Sequence, residues 1–224
     1  MFAYVLVPAL ASAIAAVPES HYSVPLSNAA EKGMRMPLAG LGMPCGYKCP
    51  VCPGYVCSKS SYDATLTFLA LGGRHTDSAD SYTDAEPGIG LAMREWMAAS
   101  PKANRRADLF IETKIGPGGG CWPLGYNESI AQAKMIIDSY NELPSSSPTN
   151  NITQLDLLLI HWPINCGACA IRSTADGHCS NTIPTTDPFC NVKSPTYSEK
   201  GCRISTWRGM LAVMNLGLAR AVGE

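Results

Sequence analysis

Short apolar runs alternate with amphipathic ones along the chain. Residues 36–43 (MPLAGLGM) read as a short, glycine-rich strand end. Residues 62–71 place Leu66, Leu69 and Ala70 on one helical face. Residues 74–79 read as a second strand, 88–99 as a helix and 108–115 (DLFIETKI) as a third strand. The strongest helical pattern is 129–143, with Ser129 as N-cap and Ile130, Ala133, Ile137 and Tyr140 along one side. Residues 155–161 (LDLLLIH) are a continuous apolar run, as expected of a strand covered on both faces. A helix is expected over 206–218, and 220–223 opens a fifth strand.

Strands that alternate with helices imply parallel βα units. Buried strands that each need a helical cover fit a doubly wound sheet or a (β/α) barrel. No G-x-G-x-x-G stands at a strand-to-helix turn, since Gly40-Leu41-Gly42 lacks the third glycine. The barrel is therefore favoured. A complete (β/α)8 TIM barrel takes about 250 residues. With 224 residues, part of them in loops, the expectation is an α/β fold of about five βα units, an incomplete barrel over 34–224.

Composition narrows the function classes. The formal net charge is −1, from 17 basic and 18 acidic residues, which excludes a general nucleic-acid binder. No apolar run reaches the roughly 18 to 20 residues of a membrane span. Residues 3–16 are small and apolar and precede Val17-Pro18-Glu19-Ser20, so 1–16 reads as a signal peptide with Ala13-Ile14-Ala15 before the cleavage point. No Lys or Arg precedes that run, and the other reading is a buried N-terminal helix. Ten cysteines and two sequons, at Asn127 and Asn151, agree with a disulfide-bonded glycoprotein in the secretory pathway or outside the cell. An uncleaved leader would leave the chain in the cytoplasm.

Four cysteines fall within 45–57 and five within 166–202, both rich in Pro, Gly, Ser and Thr, so these read as stapled loops inserted into the fold. Cys49/Cys52 and Cys166/Cys169 match C-x-x-C. That spacing allows zinc or a redox pair. Disulfides are favoured in a secreted chain, no metal is expected, and connectivity stays open.

Barrel chemistry sits at the C-terminal ends of strands. Asp77 ends the second strand with Tyr82 just after it, Lys114 ends the third, and His161 ends the fourth. Singly, each has a structural explanation: a turn cap, a rim aromatic, a snorkelling lysine, a hydrogen-bonded histidine. Together they suit one task. A tyrosine hydroxyl titrates near ~10, and a neighbouring ammonium favours its phenolate. A carboxylate beside the lysine holds it in place, and a histidine orients a carbonyl oxygen. Such a set protonates that oxygen as hydride reaches the carbon, and the hydride comes from a cofactor.

The segments MPLAGLGMP, GGRHTDSADSY, DLFIETKIGP, LDLLLIHWP and TWRGMLAVMNLGLARAVGE resemble, in order, blocks of the aldo-keto reductases. The resemblance implies an NADP(H)-dependent oxidoreductase that reduces aldehydes or ketones to alcohols. It implies Tyr82 as acid/base, Lys114 and Asp77 tuning it, and His161 orienting a small-molecule carbonyl substrate. Gly42, Met43 and Asp77 would line the cofactor, and Tyr82, His161 and Trp162 the substrate. Two departures stand out. Asp84-Ala85-Glu86 replaces the family's Asn-Glu pair with a one-residue shift. The family also continues past a glycine like Gly223 into three further βα units that hold most of the dinucleotide. Its alternative implication is a non-catalytic secreted fragment that binds a partner, or an inactive remnant.

Overall fold

Two three-residue strands, β1 (Ser23–Pro25) and β2 (Arg35–Pro37), pair antiparallel as a hairpin. Five strands follow in one sheet: β3 (Gly40–Gly42), β4 (His75–Asp77), β5 (Phe110–Ile115), β6 (Leu155–Ile160) and β7 (Ala219–Gly223). They pair in chain order and every pairing is parallel. Helices α1 (Cys57–Ala70), α2 (Ala85–Ala99), α3 (Tyr126–Ser139) and α4 (Glu199–Asn215) form the crossovers. This computed structural model describes residues 22–43, 57–80, 82, 85–116, 124–145, 150–161, 185–191 and 193–224. The proposed leader at 1–16, Asp84, Trp162 and both C-x-x-C pairs lie outside the described residues.

The α/β architecture expected from the sequence is present, as a five-stranded parallel sheet with helices, consistent with part of a (β/α) barrel. Element boundaries differ. The 36–43 run is not one strand: Pro37 closes β2, and β3 starts at Gly40. Helix α1 begins at Cys57, five residues before the expected start, and α2 begins at Ala85. Helix α4 begins at Glu199, so the end of the 166–202 stretch is helical rather than loop. Ser198 permits this early start, because its Oγ accepts from Gly201 N at 3.0 Å and caps the helix.

Ser129 is not an N-cap. It sits inside α3, fully buried, and its Oγ donates to Gly125 O at 2.7 Å. Gly125 takes the cap position at φ +143°, where a Cβ would lie 2.5 Å from Glu128 Oε2 and 2.7 Å from Asp187 Cβ. Only glycine fits that entry angle without strain.

Strand alternation sorts the sheet's two faces. On the helix side, Ile111, Ile115, Leu158 and Ile160 pack with Ile89, Met93, Ile136, Met210 and Val213, all buried. Each such side chain contributes roughly 1.5–3 kcal/mol on burial. On the other face, Phe110, Leu157 and Ala221 join Met34 of the hairpin connection in a smaller cluster. The hairpin connection is also fastened to β7: Ala30 N donates to Arg220 O at 2.8 Å, and Glu31 pairs with Arg220 at 2.6 Å. The N-terminal ends of the strands are thus covered by the hairpin. No helix among the described residues is long and apolar enough to cross a membrane.

Candidate active site

Asp77 is the last residue of β4 and lies in register with Gly42, the last of β3. Lys114 is the penultimate residue of β5. His161 follows β6 directly, and its N–H donates to Ile115 O at 2.8 Å. Tyr82 lies in the turn after β4, where its N–H donates to Ala79 O at 2.8 Å and its carbonyl accepts from Ala85 N at 3.0 Å. The backbone ladder therefore brings all four side chains to one end of the sheet.

Their side chains converge. The Lys114 ammonium pairs with Asp77 Oδ1 and donates to Ser78 O at 2.9 Å. It stands 5.8 Å from the centroid of the Tyr82 ring. The rings of Tyr82 and His161 meet edge to face, with centroids 5.6 Å apart and planes at 85°. Burial lowers the His161 pKa from its ordinary value, and the Lys114 ammonium lowers it further, while Asp77 opposes the shift. The imidazole is thus neutral at neutral pH and offers a hydrogen bond without a charge. The group brings together a phenol, an ammonium, a carboxylate and a neutral imidazole at one end of the sheet.

The remaining sequence candidates fall around this group. Gly42 is exposed beside Asp77, and among the described residues nothing but its chain neighbours comes within 4 Å of where its Cβ would be. Met43 N donates to Asp77 O at 3.0 Å, while the Met43 side chain is buried in the main core. Asn127 and Asn151 are both exposed, the first in the opening turn of α3 and the second ahead of β6.

Two acids beside the site were not assigned a role from sequence. Asp80, largely buried, has its pKa pushed up to about 6 by burial. Glu86 is only 5% exposed, and burial pushes its pKa up to about 8. Its Oε1 accepts from Thr113 Oγ1 at 2.5 Å, one residue before Lys114. The signal for Glu86 lies in its neighbours: an acid among Ala85, Ile89 and Ala92 on a core-facing helix.

A parallel βα sheet that gathers Asp, Tyr, Lys and His at the C-terminal ends of its strands defines an α/β protein of the (β/α)-barrel class. The model of the Aldo/keto reductase family matches residues 51–223, and the chain belongs to that family, whose members are oxidoreductases. It is 30% identical over 192 residues to aldo-keto reductase family 1 member A1-A of Danio rerio, covering 85% of this chain and 46% of that protein. It is 27% identical over 189 residues to NAD(P)H-dependent 6'-deoxychalcone synthase of Glycine max, covering 84% and 46%. The chain spans about half the length of the curated relatives it matches. Among solved structures it resembles a Bombyx mori aldo-keto reductase in complex with NADP, with TM-score 0.58 and 22% identity over 90% of this chain and 49% of that one. An aldo/keto reductase of Brucella melitensis gives TM-score 0.54 and 20% identity over 90% and 52%. At these identities the structural likenesses carry the fold.

Proposed function

We propose that the whole protein interconverts aldehydes or ketones with alcohols, using NADP(H), with Tyr82 as the general acid/base. The observation that carries this is the Asp77–Lys114 ion pair facing the Tyr82 ring, with His161 edge-on to the same ring. Tyr82 gives its proton to the carbonyl oxygen. The Lys114 ammonium stabilises the phenolate left behind, and Asp77 keeps that ammonium in position. His161, neutral at working pH, aligns the carbonyl oxygen by a hydrogen bond. In the reverse direction the phenolate takes the alcohol proton.

Gly42, exposed next to Asp77, would meet one edge of a nicotinamide. Gly42, the Met43 backbone and Asp77 would flank it, and when bound the dinucleotide supplies the hydride for the carbonyl carbon. Trp162, adjacent to His161 in the chain, would line the substrate side. The exposed sequons at Asn127 and Asn151 and the disulfide between Cys190 and Cys202 support a secretory-pathway location.

The test is a steady-state assay of the whole protein with NADPH across a panel of aldehydes and ketones. Tyr82→Phe is expected to lower kcat by about 10²–10⁴-fold. Turnover unchanged by Tyr82→Phe refutes the assignment.

A further inference from the structure

Glu86 lies behind the reaction group rather than in it. It is the second residue of α2, four positions after Tyr82, and its carboxyl is enclosed by β5 and α3. None of the ion pairs among the described residues includes it. Both of its oxygens meet hydroxyls instead: Thr113 Oγ1 at 2.5 Å from Oε1 and Ser139 Oγ at 3.2 Å from Oε2.

The Ser139 hydroxyl decides the protonation state. Its Oγ is also 2.8 Å from Ile136 O, one turn back in α3. A hydroxyl carries one proton, and a carbonyl oxygen only accepts. The shorter bond, to Ile136 O, takes the Ser139 proton. The contact with Glu86 is then a hydrogen bond only if the carboxyl supplies its own proton. An ionised Glu86 would instead turn a negative oxygen toward the lone pairs of Ser139.

We infer that Glu86 acts as a neutral carboxylic acid, donating to Ser139 Oγ and accepting from Thr113, and so serves as a positioning residue for Lys114. The role rests on the reading of Tyr82 and Lys114 as the acid and its stabilising cation. Thr113 and Lys114 are consecutive in β5 and point to opposite faces of the sheet. The neutral acid fixes Thr113 from the helix side without drawing the ammonium off Asp77. Ionisation of Glu86 would place a second negative charge, this one buried, across the strand from Lys114. The ammonium's field would then be shared with it, and less would reach a phenolate at Tyr82.

The surroundings agree. The titratable groups facing Glu86 are Lys114 of β5, Asp80 in the turn after β4 and Tyr140 at the end of α3. Burial and Asp80 disfavour the Glu86 carboxylate, and the Thr113 hydroxyl and the Lys114 cation favour it only partly, leaving the ionisation near pH 8. Tyr140 is fully buried, and burial together with Glu86 raises its hydroxyl well above the usual range, so it stays neutral throughout.

Glu86→Gln is the informative variant, because the amide keeps an acceptor for Thr113 and a donor for Ser139 but cannot ionise. In the wild type, infrared spectroscopy at pH 7 is expected to show a protonated-carboxyl C=O band that disappears in Glu86→Gln and, on raising the pH, fades near 8. In the assay, wild-type kcat is expected to fall about tenfold between pH 7 and 9 with KM unchanged, because Glu86 does not touch substrate. Glu86→Gln should keep the neutral-pH kcat and lose that alkaline fall. The Lys114 ammonium resonance should step near pH 8 in the wild type and not in Glu86→Gln, whether or not the protein turns over. Absence of the carboxyl band at pH 7, an identical alkaline limb in the glutamine variant, or an unmoved Lys114 resonance overturns the proposal. Failure of the wild type to turn over any carbonyl, with band and resonance as expected, counts against the reductase reading alone.

Discussion

Asp156 is fully buried in β6, and changing it to asparagine probes what aligns the strands beneath the site. Its Oδ2 accepts from Arg106 at 2.7 Å and from Ile111 N at 2.9 Å, while Oδ1 accepts from Arg220 at 2.7 Å. One carboxylate therefore binds β5, β6 and β7 together at their N-terminal ends. Asparagine keeps one acceptor oxygen and turns an N–H₂ toward a guanidinium. Breaking a buried ion pair costs about 3–5 kcal/mol. Arg106 and Arg220 are 28% and 29% exposed, so water recovers part of their solvation, and Arg220 keeps Glu31. The expected loss is accordingly near the lower end, about 3 kcal/mol. At about 2–4 °C per kcal/mol for a chain of this size, Tm falls by about 6–12 °C. Urea unfolding followed by circular dichroism measures it, with the m-value unchanged. Arg220→Met should cost less in the Asp156→Asn background than alone, because the two share the contact. A loss below about 1 kcal/mol, or additive behaviour of the pair, refutes the reasoning.

Two further outcomes follow from the packing and the site. Gly90→Ala should lower Tm, because its Cβ would lie 1.9 Å from Tyr140 O and force α2 from α3; overpacking of this kind costs about 1–3 kcal/mol, and a Tm equal to or above wild type would contradict the close approach. His161 should titrate by NMR below its ordinary 6.5, and since the unfolded chain then takes up the proton first, its contribution to stability is present above pH 6.5 and lost as pH falls through the folded value. A normal or raised His161 titration would rule out a neutral ring held by burial and Lys114.

The parts of the fold that were legible share a local cause. Strands β5 and β6 are apolar runs bounded by turn residues, and α2 and α3 carry helical periodicity, so each declares itself within a dozen residues. Pro37 and Ser23 declare nothing of the kind. Strands β1 and β2 are three residues long with no alternation to read, and they exist because their connection packs on Phe110 and Leu157 far along the chain. Ser129 looked like a cap because the signal for the true cap, a glycine at positive φ, depends on Asp187 crowding it from 62 residues away. Asp77, Tyr82, Lys114 and His161 stood out because ionisable residues at strand ends are chemically conspicuous. Glu86 did not, because an acid in a first helical turn normally reads as a solvated partner of the helix dipole. Asp156 had a sequence signal that went unused: an aspartate inside LDLLLI demands buried cations, and Arg106 and Arg220 supply them.

The fastening of the hairpin to β7 bears on how the protein is made. Glu31 and Arg220 meet across 189 residues of chain. At synthesis rates of about 5–20 residues per second, roughly 10–40 s separate the emergence of the two halves of that contact. During this interval Met34 and the apolar positions around it have been made, but the strand that helps cover them has not. The underside of the sheet is therefore a late-closing seam on the ribosome, while the Asp77–Lys114 pair is encoded within the first 114 residues and can form well before it.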